Sequence, residues 1–198
     1  ITQVRPEGAA GDLAVVFDYK RRFQAIGLYD PDSPIRIKLL HHGAPLQVGP
    51  ALWEQRLRQA LELRSPLVAS SHTDAFRWVN GENDAMPGLV LDVYRDTVVM
   101  KLYTPAWFPF LDELVAAVEG VLDPSRVVLR LGRTVAESQD RWRDGTALVG
   151  DLPSGPIRFL EHDLTFEADV VAGQKTGHFL DQRDNRLLVR GLSSGARV

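Results

Sequence analysis

Apolar residues fall into short alternating runs broken by turn-forming clusters, with three stretches of helical spacing between them. Leu13 to Phe17 and Phe23 to Tyr29 read as strands around the charged turn Asp18 to Arg22. Asp30-Pro31-Asp32-Ser33-Pro34 marks a second turn. Ile35, Ile37 and Leu39 then alternate with Arg36 and Lys38, which predicts a third strand over 35–40. These three strands make a β unit too small to stand alone, so its beginning is expected to be missing.

Pro50 suits the first turn of a helix. Trp53, Leu57, Ala60, Leu61 and Arg64 keep helical spacing until Pro66, so 50–65 reads as a helix joining two units. The second unit starts near Phe76. It has turns at Asn80-Gly81 and Pro87-Gly88, and a hairpin whose strands hold Leu89, Leu91, Val93 and Val98, Met100, Leu102. Phe108, Leu111, Leu114, Val115 and Val118 share one helix face, with Gly120 as the expected stop. Arg126 to Leu131 and Ala147 to Val149 read as strands. The pattern is strand-strand-helix-strand-strand. A further hairpin is predicted over 157–161 and 164–170, then a loop, then a helix from Asp181 to Arg190 ended by Gly191. Asp181 is its expected N-cap, with Asp184 three residues on. Ala196-Arg197-Val198 starts what looks like another strand. The class is α+β, divided as 1–45, linker helix 46–66, 67–155 and 156–198.

The 198 residues are 44% hydrophobic and 25% charged, which fits an ordinary globular protein. No apolar run approaches the roughly 18 residues of a membrane span. The sequence starts at Ile1 with no charged-then-apolar leader, which reads as a cut or processed start. There is no cysteine, so disulfides, thiolate metal sites and a cysteine nucleophile are excluded from these residues. That fits a cytoplasmic protein. The net charge of -3 gives RNA binding no global support. Locally, residues 175–197 hold five cations and two acids, which a solvated helix face also explains.

The densest chemistry lies in Gly173-Gln174-Lys175-Thr176-Gly177-His178-Phe179-Leu180-Asp181-Gln182-Arg183-Asp184-Asn185-Arg186. Only Phe179 and Leu180 are aliphatic or aromatic. Its glycines would let backbone approach a ligand. Lys175 and Arg183 could hold an anion, Asp181 could accept from hydroxyls, and Phe179 could stack on a base. A loop followed by a capped, solvent-facing helix explains the same residues. The segment is not a phosphate-binding loop of the Gly-x-x-x-x-Gly-Lys-Thr kind, because the earlier glycine of that pattern is absent.

Residues 173–186 resemble a signature of bacterial and archaeal large-subunit rRNA cytosine-5 methyltransferases. A second block is similar to that family's central domain: Arg77, Asn80-Gly81-Glu82, Asp84, Pro87-Gly88-Leu89, Asp92 and Tyr94. A third, Ile26 to Pro31 with Ser33, Ile35 and Ile37-Lys38, resembles the end of its PUA domain. The resemblance implies a partial PUA-like unit, a central α+β domain, and the lead-in hairpin and helix of a truncated Rossmann-like core that uses S-adenosyl-L-methionine. It places Lys175, Thr176, Gly177, Phe179, Asp181, Gln182, Arg183 and Arg186 at the cofactor or target-base site. It also implies a catalytic thiolate that adds to cytosine C6. No residue here can do that, so no catalytic residue is assigned, the cysteine is expected beyond Val198, and the chain alone is expected to be inactive. Guanine-N7 rRNA methyltransferases are similar around Thr176-Gly177, Phe179-Leu180-Asp181 and Arg183, and a non-catalytic RNA-binding module is a further alternative.

Ribosomal RNA is the implied partner, gripped through Lys20, Arg21, Arg22, Arg36 and Lys38. A homodimer is admitted, and no membrane role is expected. Glu82 with Asp84 reads as turn chemistry, and His41-His42 as a surface turn, since neighbours on a strand point oppositely. His162 and His178 lack a carboxylate cluster, so no metal is assigned. Trp107, Phe108 and Phe110 read as core rather than base-stacking residues.

Overall fold

The computed structural model describes residues 8–193 and 195. Strands β1 (Leu13–Phe17), β2 (Phe23–Tyr29) and β3 (Ile37–His42) form an antiparallel sheet in that order. The first two match the expected runs. The third starts two residues later, because the turn closes with Asp30 N donating to Arg36 O and leaves Ile35 exposed. His41 and His42 end this strand rather than occupy a turn.

Helix α1 (Pro50–Leu63) buries Leu52, Trp53, Arg56, Leu57 and Ala60, one stripe at helical spacing. It is more than a connector. Trp53 Nε1 donates to Glu113 at 2.8 Å and Trp78 Nε1 donates to Leu57 O at 3.0 Å, so α1 walls the core of the second unit. Pro66 does not end this helix. It lies in the first turn of the short α2 (Ser65–Val68).

The second sheet has five strands in spatial order: β4 (Ala75–Asn80), β5 (Leu89–Tyr94), β6 (Thr97–Leu102), β7 (Arg126–Leu131) and β8 (Thr146–Val149). All neighbours are antiparallel except β6 and β7. That parallel pair needs a crossover, which α3 (Leu111–Leu122) supplies. The expected pattern lacked β4. Ala75, Phe76, Trp78 and Val79 are all buried, so this strand shows no alternation to read. α3 runs past Gly120, whose missing side chain faces open space, and stops at Asp123 in a left-handed conformation. A short α4 (Arg133–Glu137) links β7 to β8.

The two faces of this sheet have different covers. On one, Trp78, Leu89, Leu91, Met100 and Leu129 join Trp53, Leu57, Trp107 and Leu114 in the main core. Leu28 and Leu40 of the first sheet enter the same cluster. Trp107 is fully buried and donates to Pro87 O, as its reading as core required. On the other face, Ala75, Tyr94, Val99 and Val128 meet Phe159, Ala168, Val170 and Leu180. These come from the hairpin β9 (Ile157–Glu161) and β10 (Leu164–Ala168) and the loop beyond it.

Helix α5 (Arg183–Leu192) closes the described chain. It starts after a 3-10 turn at Leu180–Gln182, and no side chain caps it, so Asp181 is not the N-cap. Gly191 is inside the helix rather than after it. The expected strand at Ala196 to Val198 lies outside the described residues. Among the described residues no helix is long and apolar enough to cross a membrane.

Candidate functional site

The segment 173–186 crosses one end of the second sheet, over a row of charged residues that point to the same face. Arg77 and Asp92 are register partners on β4 and β5, and Lys101 and Arg130 are partners on β6 and β7. Asp92 is fully buried and takes a bidentate pair from Arg77 at 2.9 and 3.0 Å. Thr176, also buried, donates its hydroxyl to the same carboxylate, reaching Asp92 Oδ2 at 2.5 Å beside Arg77 Nη2. The Tyr94 hydroxyl lies 3.3 Å from Thr176 Oγ1 and accepts from His178 N at 3.1 Å. Burial first, and then the Asp92 carboxylate, push the Tyr94 phenol well above its usual range, so it stays a neutral hydrogen-bonding group.

Cations on the neighbouring strands hold the loop by its carbonyls. Arg130 pairs with Asp144 and donates to Val170 O and Gly173 O. Lys101 Nζ donates to Lys175 O at 2.8 Å. The loop also folds tightly on itself. A β-carbon at Gly177, where φ is +120°, would meet Asp169 O at 3.0 Å, and one at Gly173 would meet the same oxygen at 2.3 Å. These glycines let the loop pack tightly against Asp169.

Ten of the fourteen residues fall into two sets. Thr176, Gly177, His178, Leu180 and Arg186 face the protein. Arg186 makes a bidentate pair, 2.6 Å on each arm, with the buried carboxylate of Glu161. Lys175, Phe179, Asp181, Gln182 and Arg183 form the outer set. The Lys175 ammonium sits 4.3 Å from the centre of the half-exposed Phe179 ring and pairs with Asp181 at 3.1 Å. Burial raises the Asp181 carboxyl, but Lys175, with hydrogen bonds from the backbone and Gln182, holds it below the ordinary carboxylate value. Gln182 accepts from the Asn185 amide, and Arg183 pairs with neighbouring Asp184.

His178 packs edge-on to Phe159 at 5.1 Å and beside Phe166 at 5.2 Å, with its Nε2 buried and unpartnered. Burial, and then Arg186, lower its pKa from 6.5. The folded state thus binds this proton less readily than the unfolded chain. Its stability is complete above pH 6.5 and falls as acidification through that value protonates the unfolded chain first. We expect His178→Phe to lose less stability than the natural chain between pH 7 and the lowered pKa. Parallel urea midpoints across that range would refute this expectation.

The five basic residues assigned to RNA do not form one patch. Lys20, Arg21 and Arg22 are exposed in the β1–β2 turn. Lys20 lies 5.4 Å from the Tyr19 ring, and Arg22 pairs with Asp18 at 2.7 Å. Arg36 and Lys38 are at the far end of β2, whose seven residues span roughly 20 Å. Lys38 is committed to Ser33 Oγ, Ile35 O and Asp30, leaving Arg36 as the exposed cation at that end. The turn reading of Glu82 and Asp84 fits what is seen: Asp84 caps Asn80 N and pairs with Arg64. Among the described residues no group of three His, Asp or Glu could hold a metal ion.

Sequence reasoning assigned no role to Arg77, Asp92, Tyr94, Lys101, Arg130 or Glu161. Charged residues inside otherwise apolar strands were the available signal, since such strands place a charge indoors only when something pairs with it.

A small antiparallel sheet packed on a five-stranded α+β unit defines the class of the molecule, and residues 1–42 match a PUA-like domain family. The chain is similar in sequence to rRNA large-subunit methyltransferases. It is 49% identical to the ribosomal RNA large subunit methyltransferase of Deinococcus radiodurans, over 97% of this chain and 48% of that protein. It is 29% identical to the ribosomal RNA large subunit methyltransferase I of Serratia proteamaculans, over 100% of this chain and 50% of that one. The chain spans about half the length of these curated relatives. Its fold is shared with a protein provisionally assigned as a methyltransferase and complexed with SAH, at TM-score 0.77 and 19% identity, over 91% of this chain and 45% of the other.

Proposed function

We propose that this chain is the RNA-gripping and cofactor-flanking part of an rRNA methyltransferase that uses S-adenosyl-L-methionine. The observation that supports this best is the division of 173–186. One half of the segment is locked into buried pairs, which leaves Lys175, Phe179, Asp181, Gln182 and Arg183 on a rigid outer face. The chemistry of this set fits one wall of the cofactor site. Arg183 suits a carboxylate, Asp181 suits ribose hydroxyls, and Phe179 offers a stacking face. Bound there, the cofactor supplies the methyl group. The chain's own side chains position it and the target base.

The target we favour is cytosine C5 of large-subunit rRNA, because the central block with Asn80-Gly81-Glu82 and Pro87-Gly88-Leu89 resembles the cytosine branch. The exposed turn Lys20-Arg21-Arg22 is the RNA contact on the first unit. Thr176, Gly177 and Arg186, first counted with the site, act by holding the outer set in place.

In a protein of the relatives' full length, Gln182→Ala or Arg183→Ala should lower methylation at least about tenfold, equivalent to about 1.4 kcal/mol of transition-state stabilisation. Arg190→Ala, which loses one exposed bond to His162 O, is the control and should stay near the natural rate. Equal methylation by all three folded variants would make the segment scaffold. Mass mapping of the modified nucleotide separates cytosine C5 from guanine N7.

A further inference from the structure

A cavity of about 470 Å³ lies between the end of β3, one side of α1 and the turn over 82–85, well away from segment 173–186. Its size is that of small-ligand sites. At its wall sits Arg56, only 7% exposed. The guanidinium donates to Ala85 O at 2.6 Å and to Leu40 O at 2.5 Å, both neutral acceptors. Among the described residues it has no ion-pair partner, and the nearby carboxylate of Asp84 belongs to Arg64. Burial alone lowers its pKa, with no acidic neighbour to offset that. A buried cation without a counter-charge is costly to maintain, and here it borders a cavity that could admit one.

The rest of the lining is suited to reading polar edges. Gln55 and Gln59 are one turn apart on α1, both exposed and both facing the cavity. Asn83 and His42 face it from the opposite side, with apolar Leu40, Leu46 and Leu52 between. Three amides offer paired donors and acceptors, and an apolar floor suits a flat ring. Glu82 at the rim could accept from ribose hydroxyls.

We infer that this cavity binds a phosphate-bearing ribonucleotide, with the phosphate at Arg56 and the base edge against Gln55, Gln59 and Asn83. The nucleotide can be free or an unpaired residue of an RNA strand, and only the second source rests on the RNA reading above. Arg56 itself ties β3 to the 82–85 turn, so its removal would confuse binding with folding. Gln59 is exposed, and the described residues give it no hydrogen bond, so Gln59→Glu places a repelling carboxylate in the cavity without disturbing the core.

The experiment follows the Arg56 Nε–H and Gln59 amide signals of the full 198-residue chain by NMR. AMP, CMP, GMP and UMP are added one at a time, with adenosine and inorganic phosphate alongside. At least one nucleotide should shift both signals saturably and bind more tightly than adenosine or phosphate. Gln59→Glu should weaken it at least about tenfold at an unchanged unfolding midpoint. Signals unmoved by every nucleotide, or equal binding by Gln59→Glu, would overturn the inference.

A short unpaired oligoribonucleotide separates the sources. Weaker binding by Gln59→Glu identifies the strand as the ligand. Mononucleotide binding with no strand effect identifies the free nucleotide. Strand binding lost only in Lys20→Ala/Arg21→Ala, with mononucleotides inert, keeps the RNA reading and overturns this cavity.

Discussion

Asp92→Ala should destabilise the chain by about 3 kcal/mol, the lower end of what removing one partner of a buried ion pair costs. Asp92 is fully buried, and three hydrogen bonds converge on it, two from Arg77 and one from Thr176. The Arg77 side chain is 26% exposed, so water recovers part of its charge after the change, which argues against the upper end. Thr176→Val removes one hydroxyl and leaves the pair intact, so about 1 kcal/mol is expected. Urea unfolding measures both through the midpoint at constant slope. Hydrogen exchange should also quicken across 173–178, because the loop loses its floor. A loss below about 1 kcal/mol for Asp92→Ala would mean that Arg77 is solvated well enough to need no partner, and that the loop is held by Tyr94, Lys101 and Arg130.

This pair also explains why two blocks far apart in the sequence share one resemblance. Arg77, Asp92 and Tyr94 belong to the first block and Thr176 to the second, and in the fold they form one hydrogen-bonded cluster. The blocks were legible, but their meeting was not, because no local pattern tells which loop covers which sheet face. Most strands were legible as short apolar runs between turn signals, as in β1 and β6. β4 was not, because Arg77 interrupts its apolar run.

Helix ends failed for a related reason. Gly120 and Gly191 look like stops, yet neither has a neighbour that a side chain would meet, so the helix can run through them. The segment 173–186 was recognised as dense in chemistry. Which half faces the protein depends on Asp92, Glu161 and Asp169, all far from it or outside it in sequence. The basic residues of the first unit are close in sequence but lie at opposite ends of β2. Lys38 lies close to Arg36 in the chain, but its ammonium is spent inside the turn that also anchors Asp30 to Thr104.

Glu161→Ala should release α5 from the hairpin while the rest of the fold stays intact. Glu161 is 2% exposed and receives both arms of Arg186, the strongest tie between α5 and its surroundings. Arg186 also lies 5.7 Å from the centre of the Phe166 ring, which keeps its guanidinium low over β10. No residue of α5 is itself buried, and a helix of ten residues is marginal without tertiary contacts. Its apolar residues Leu187, Leu188, Val189 and Leu192 are all exposed. Removing the carboxylate therefore takes away most of what orders the helix, at a cost of about 3 kcal/mol. Such a loss at the edge of a fold appears as local opening rather than global unfolding. Amide exchange in 183–192 should rise roughly a hundredfold, with little change in β5 or β6. The double variant Glu161→Ala/Arg186→Ala should cost much less than the sum of the single changes, because the pair acts as a unit. Arg190→Ala, which loses one exposed bond, should change exchange by less than about threefold. If Glu161→Ala exchanges like Arg190→Ala, α5 is ordered by something other than this pair, and the outer residues Gln182 and Arg183 owe their placement to the loop before them.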